Sequence, residues 1–382
     1  MIQEAKRLSS VKEYYFSQKL REVASLKAEG KPVLNLGIGS PDLAPPTEVV
    51  EAMQLCVSQE TSHGYQSYQG TPELREAFAN FYEGYFDVKL DYQNEVLPMM
   101  GSKEAIMHIS MAFLNPGDQV LIPNPGYPTY TSVSELVGAE VATYNLKGDQ
   151  NWEINFEELE QNDLSKVKLM WVNYPHMPTG SKGSRALLED IVAFAQKHEI
   201  LVVNDNPYSF VLNQEYNSIL SIPGSDAYCL ELNSLSKSFN MAGWRVGALL
   251  GNKDLLKSVL KVKSNMDSGM FLGIQKGAIA ALSLDKQWFS KMNSVYQLRR
   301  TLVWEIMDLL GCVYDQKAVG MFVWAKVPAH QNAQELCDSL LYDKSIFITP
   351  GFIFGSNGED YIRISLCSNE GVLKEVINRL KS

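Results

Sequence analysis

The chain has 382 residues, 45% of them hydrophobic and 20% charged, and a formal charge of −10. That length suits one large plus one smaller domain with a substantial core, and the acidic balance argues against a nucleic-acid surface. No apolar run reaches bilayer length, and the scattered Cys56, Cys229, Cys312, Cys337 and Cys367 lack CxxC spacing, so they read as reduced thiols of a cytoplasmic protein.

The five histidines form no metal-binding pattern. The start, Met1-Ile2-Gln3-Glu4-Ala5-Lys6-Arg7, lacks the basic-then-apolar order of a signal peptide.

Helical periodicity predicts Pro46–Val57, Pro72–Tyr85 and Lys103–Leu114. Strands follow at Gln119–Ile122, Val141–Tyr144 and Lys168–Asn173, a helix at Arg185–Lys197, and strands at Leu201–Asn204, Cys229–Asn233 and Val246–Gly251, with a helix at Lys253–Lys263. Short apolar runs alternating with helices imply an α/β domain with a mostly parallel sheet covered by helices. After about Gly273 the pattern changes. Helices at Ile274–Leu282 and Lys286–Leu310 precede short strands at Gly320–Lys326, Ile346–Thr349 and Tyr361–Leu366, with helices at Asn332–Leu341 and Glu370–Lys381. This reads as a smaller α+β domain. The expected division is 45–273 for the large domain, with 1–44 and 274–382 forming the small one from both chain ends, Leu34–Gly39 crossing between them.

Lys237 carries the most chemistry. It lies in Ser234-Leu235-Ser236-Lys237-Ser238-Phe239-Asn240-Met241-Ala242-Gly243-Trp244-Arg245. A lysine amine can join an aldehyde cofactor, and nearby hydroxyls with an always-charged arginine can bind a phosphate on it. The alternative is a solvated polar loop. Asp205 ends the apolar run Leu201-Val202-Val203-Asn204. There a carboxylate can keep a pyridine nitrogen protonated, or it can cap the turn Asn206-Pro207-Tyr208. Tyr208 is in reach of the same ring.

Gly101-Ser102-Lys103-Glu104-Ala105 opens a helix whose free N–H groups can cradle phosphate, or which Ser102 simply caps. Pro123-Asn124-Pro125-Gly126-Tyr127-Pro128 places Tyr127 where it can stack on a flat ring or pack in the core. Arg363, in the strand pattern Tyr361-Ile362-Arg363-Ile364-Ser365, needs a partner: an internal carboxylate or a substrate carboxylate.

These blocks, ordered from Leu34-Asn35-Leu36-Gly37-Ile38-Gly39-Ser40-Pro41-Asp42 to Arg363-Ile364-Ser365-Leu366, resemble the fold-type I pyridoxal-phosphate enzymes, in the class I/II aminotransferase family, nearly end to end. The resemblance implies pyridoxal 5′-phosphate as cofactor and transfer of an amino group from an L-amino acid to a 2-oxo acid. It implies Lys237 as the cofactor-linked, proton-shuttling lysine, Asp205 and Tyr208 as partners of the ring nitrogen and ring hydroxyl, and Tyr127 as the stacking aromatic. Ser102, Lys103, Ser234, Ser236 and Arg245 match the phosphate site, Arg363 the arginine for the substrate carboxylate, and Gly39 the segment closing over the substrate. Tyr65, in Tyr65-Gln66-Ser67-Tyr68-Gln69-Gly70, matches a tyrosine that reaches the other subunit's phosphate, implying a homodimer with shared sites.

One departure stands out. Where the family has Asn-Pro-Thr-Gly, the run is Asn173-Tyr174-Pro175-His176-Met177-Pro178-Thr179-Gly180, and Met177 cannot donate as asparagine does. Tyr208 then acts alone, or Asn173 or His176 compensates; the cofactor is still expected to bind. The resemblance also implies cis bonds at Asn124–Pro125 and Met177–Pro178. A carbon–sulfur lyase of the same fold is the alternative. An amino-acid sensor fused to a DNA-binding module is disfavoured, because the match begins near Leu34. No distal-carboxylate arginine appears in Ser264-Asn265-Met266-Asp267-Ser268-Gly269-Met270-Phe271, a lean toward uncharged substrate side chains.

Overall fold

The computed structural model of the chain describes residues 2–9 and 15–382. The apolar runs 169–172 and 201–203 lie within the strands Val167–Val172 and Leu201–Asn206, where they are buried on both faces. Successive side chains point to opposite sides of a strand: Leu201 and Val203 enter one core cluster, Val202 the other. Helices over both faces explain why these strands read as continuous hydrophobic runs. Burying a side chain such as Val203 stabilises the fold by about 1.5–3 kcal/mol.

Seven strands form the large sheet, in the order Val96–Met99, Gly247–Gly251, Cys229–Ser234, Leu201–Asn206, Val167–Val172, Gln119–Asn124, Glu140–Asn145. Gly247–Gly251 is antiparallel to both its neighbours, and the other pairs are parallel. Register then determines what meets at one edge. Met99 pairs with Gly247 and Gly247 with Ser234, while Asp205 pairs with Leu232 and Asn204 with Val172. The residues just after Met99, Ser234 and Asp205, and those just before Gly247 in its antiparallel strand, lie at the sheet's carboxyl edge, where open α/β sheets bind ligands.

A second, antiparallel sheet has the order Thr349–Pro350, Tyr361–Ser365, Phe322–Lys326, Val313–Tyr314. Leu34–Asn35 pairs in parallel with Ile346–Phe347, and the Ser365 N–H donates to the Leu36 carbonyl at 2.8 Å. The N-terminal segment is thereby joined to the C-terminal part of the chain.

The α/β architecture expected from sequence is present, and its strands and helices match the expected ones to within a few residues. Several elements were not expected, among them the short strand Val313–Tyr314, the short helix Phe156–Leu159 and the three that follow. The strand Val96–Met99 contains Pro98, which removes a ladder donor and reads against a strand; it is tolerated because this strand is the sheet edge. The helix Pro128–Leu136 is rich in Thr, Ser and Val, weak helix formers. The helix Tyr15–Ala28 has a narrow apolar stripe of Phe16, Val23 and Leu26. Ile346–Thr349 is not one strand: Ile346–Phe347 and Thr349–Pro350 pair in different sheets. The Asn124–Pro125 and Met177–Pro178 bonds are cis, as expected, and so is Tyr174–Pro175.

Candidate active site

A cavity of about 440 Å³ opens at the carboxyl edge of the large sheet, lined by Ser102, Lys103, Tyr127, Asp205, Tyr208, Ser234, Ser236, Lys237, Arg245, Arg363 and Gly39. Sequence reasoning named each of these. Lys237 sits on the short helix Leu235–Ser238, directly after its strand. Its Nζ donates to the Gly39 carbonyl at 2.5 Å. Burial lowers the pKa of this amine, and the cations of Arg363 and Arg245 push the same way.

Asp205 is 4% exposed. Burial raises its pKa to about 6, against hydrogen bonds from Tyr130 and Ser102 and the charge of Lys237. Tyr130 donates to Asp205 Oδ2 at 2.9 Å and lies flat on Trp171, ring centroids 5.0 Å apart. The Oδ1 atom is buried with no partner among the described residues. Tyr208 is buried, and desolvation pushes its phenol well above the usual range. Tyr127 meets Tyr130 edge-on at 5.5 Å.

The corner expected to hold the phosphate is built by register. Helix Ser102–Phe113 begins after Gly101, which has φ +85 and gives no side-chain cap. A Cβ on Gly101 would lie 2.2 Å from Arg245 Nη2, so only glycine lets that guanidinium approach the helix start. Ser234 and Ser236 line the same corner. Uncapped helix N–H groups, three hydroxyls and a guanidinium form an anion seat.

At the opposite end Arg363, 4% exposed, is held between Phe322 at 3.9 Å and Phe354 at 4.6 Å. It donates to the Gly37 carbonyl at 2.9 Å and to the Met177 thioether at 3.3 Å. Neither polar side chain near Met177, Asn173 or His176, substitutes for the missing asparagine. Asn173 Nδ2 donates to the Asp205 carbonyl and its Oδ1 accepts from Met177 N–H. His176 is paired with Thr179 at 2.7 Å, and burial drives its pKa down to about 3.

Tyr65 does not join this cavity; it is 94% exposed. Tyr130, Phe16, Leu20, Phe322 and Phe354 also line the cavity but were not assigned to the ligand site with the rest. Tyr130 could have been suspected from its spacing, three residues after Tyr127 at a helix start. Phe322 and Phe354 carried no such signal.

These residues fit pyridoxal phosphate. The unpartnered Oδ1 of Asp205 suits a protonated ring nitrogen, the glycine-cleared anion seat suits a phosphate, and the buried amine of Lys237 lines the same cavity. The family model for aminotransferase class I and II matches residues 31–380. The chain belongs to the class I and II aminotransferases. It is a pyridoxal-phosphate-dependent aminotransferase acting on an L-amino acid and a 2-oxo acid, and the relatives do not favour the lyase alternative.

It is 36% identical over 378 residues to the LL-diaminopimelate aminotransferase of Dehalococcoides mccartyi, covering 98% of this chain and 97% of that one. It is 37% identical over 383 residues to LL-diaminopimelate aminotransferase 2 of Trichormus variabilis, covering 100% and 98%. Among solved structures, apo-BacF from Bacillus subtilis superposes with a TM-score of 0.95 at 33% identity, covering 100% of this aminotransferase and 98% of BacF. Among the described residues no helix is long and apolar enough to cross a membrane.

Proposed function

We propose that this aminotransferase takes an L-amino acid with an uncharged side chain as donor, with Lys237, Asp205 and Tyr208 as catalytic residues and Arg363 and the Gly39 segment holding the substrate. The observation that carries the donor class is the cavity wall. Phe16, Leu20, Ile38, Met177, Phe322 and Phe354 line it, and its cations among the described residues are Lys103, Lys237, Arg245 and Arg363. Lys103 and Arg245 belong to the phosphate end, Lys237 is the amine, and Arg363 is assigned to the α-carboxylate. That leaves no cation for a second carboxylate.

When bound, the cofactor supplies an aldehyde for the amino group and a ring that accepts the electron pair left when the α-proton departs. The chain does the rest. Lys237, its amine made less basic by burial, takes that proton and returns it one carbon away. Asp205 holds the ring nitrogen protonated, Tyr208 donates to the ring oxygen without help from position 177, and Tyr127 stacks. Ser102, Lys103, Ser234, Ser236 and Arg245 hold the phosphate. The aromatic walls around Arg363 exclude water, which strengthens its hold on a carboxylate.

Purified holoenzyme incubated with 2-oxoglutarate and phenylalanine, leucine, aspartate or LL-diaminopimelate tests the donor. Faster turnover of phenylalanine or leucine is the expected result. The names of the relatives favour a second reading; LL-diaminopimelate as the best donor would overturn the apolar one. Arg363→Lys should raise KM for both amino acid and oxo acid by about 10–100-fold, because a lysine cannot offer the paired donors of a guanidinium. Steady-state kinetics on both substrates reads this, and an unchanged oxo-acid KM would remove Arg363 from the role.

We also propose a homodimer with shared sites in the cytoplasm, and the domain division 45–273 against 1–44 plus 274–382, of which Met1 and residues 10–14 lie outside the described part. Tyr65 supports the dimer. It is exposed in a loop whose neighbours Tyr68, Met266 and Phe271 are also exposed, and a partner's phosphate end is the place the family pattern gives it. The pairing of Leu34–Asn35 with Ile346–Phe347 supports the division.

A further inference from the structure

Behind the phosphate-holding turn lies a cluster of charged side chains that the transfer reaction does not use. Glu104 is the third residue of helix Ser102–Phe113. Its Oε2 accepts from the Met100 N–H at 2.7 Å, and its Oε1 is 3.1 Å from His108 Nε2 one turn on. Lys263, 2% exposed, donates to both oxygens of Asp267 at 2.9 and 2.8 Å. One atom each of Glu104, His108 and Asp267 lie within 4.8 Å of one another. Such a trio could attract a divalent cation, but the Lys263 ammonium already supplies the positive charge, at much lower desolvation cost than leaving the carboxylates alone.

The cluster grips two loops. On one side Glu104 holds Met100, next to Gly101. On the other, Asp267 Oδ1 accepts from the Gly269 N–H at 2.8 Å. Gly269 has φ +88, and a Cβ there would lie 2.4 Å from the Gln66 carbonyl, in the loop that carries Tyr65.

We infer that Glu104 is a positioning residue for the cofactor phosphate. The inference rests on the reading that the phosphate sits at this turn. A carboxylate in the first turn of a helix would ordinarily compete with a bound anion for the same N–H groups and repel it. Here it is turned back onto the Met100 N–H, with His108 against its other oxygen. Gly101, the least restricted residue type, is thereby fixed on one flank by that hydrogen bond and on the other by Arg245. The ordering of the N–H groups outweighs the repulsion, which the Lys263 ammonium reduces.

The test compares affinity for pyridoxal phosphate with affinity for unphosphorylated pyridoxal, both read by absorbance on cofactor-stripped protein. Glu104→Ala should weaken pyridoxal phosphate by about 10–100-fold, the loss of one charge-assisted hydrogen bond, and leave pyridoxal within about twofold. Glu104→Gln keeps an acceptor at the same reach and should stay within about threefold of the parent. Glu104→Asp keeps the charge but not the reach; it should behave like Ala and replaces it if Ala fails to fold. Equal loss of both ligands, or Asp retaining full affinity while Gln does not, would overturn the inference. Failure of the parent protein to prefer the phosphorylated form would instead remove the phosphate assignment itself.

Discussion

Lys237→Ala should lower turnover by at least about a thousandfold, the scale of a lost general base, while the protein still takes up pyridoxal phosphate. The two halves of this expectation have separate causes. The proton that must leave the substrate needs a base within reach, and the other titratable groups on the cavity wall are poorly suited. Tyr208 and Tyr127 have phenols pushed up by burial, and Asp205 is committed to Tyr130 and Ser102. Arg363 stays protonated at any working pH. The anion seat, by contrast, is made by Gly101, Ser102, Ser234, Ser236 and Arg245, none of which needs Lys237. Removing the side chain also vacates the position of its Nζ, so a small primary amine added to the medium should restore part of the rate. Single-turnover kinetics with and without such an amine decides it. A loss below about tenfold would hand the base role to another residue.

Much of this site was legible in the sequence, for a physical reason. A parallel sheet buried on both faces must be written as unbroken apolar runs, so the polar residue ending each run marks the ligand edge. Asp205 follows such a run, with Asn204 between, and Ser234 closes a strand whose run is broken by the buried Glu231 and Asn233. Lys237 and Arg245 follow within a spacing that only a tight turn and a returning strand satisfy. What was not legible depends on pairs distant in the chain. Trp324 pairs with Arg363, and Thr349 pairs with Arg363 from the other side. That register brings Phe322 and Phe354 against the guanidinium, and no local pattern announces it. Tyr130 was hidden in a segment of poor helix formers whose helix depends on packing against Trp171. The strand at Val96–Met99 was hidden by Pro98, which an edge permits. The answer at Met177 was likewise non-local: it sits against Arg363, 186 residues away in the chain.

Asp205→Asn should make the cofactor-free protein more stable and the enzyme much slower. The stability effect comes from the raised pKa of the carboxyl, about 6 in the folded state. In the unfolded chain it titrates at about 3.9. Below that value the group is protonated in both states and contributes nothing. Between the two values the unfolded chain has lost its proton and the folded protein has not, so stability falls as pH rises; above about pH 6 the loss is complete. The gap of about two pH units corresponds to about 3 kcal/mol, and roughly half of it accrues between pH 5 and 7.5. Asparagine carries no charge to desolvate, so the variant should gain on the parent across that window. Urea unfolding of both cofactor-free proteins at several pH values gives the difference curve; a flat curve would mean that Asp205 is not the source. Turnover should fall by about 100-fold or more, because an amide cannot hold a proton on the ring nitrogen while the electron pair is stored there. Loading the parent with cofactor should erase its pH-dependent disadvantage, since a protonated nitrogen at Oδ1 favours the carboxylate. The strain of a buried, half-satisfied carboxyl is thus the cost of keeping that position ready for a cation, and the same residue that weakens the cofactor-free fold is the one the chemistry requires.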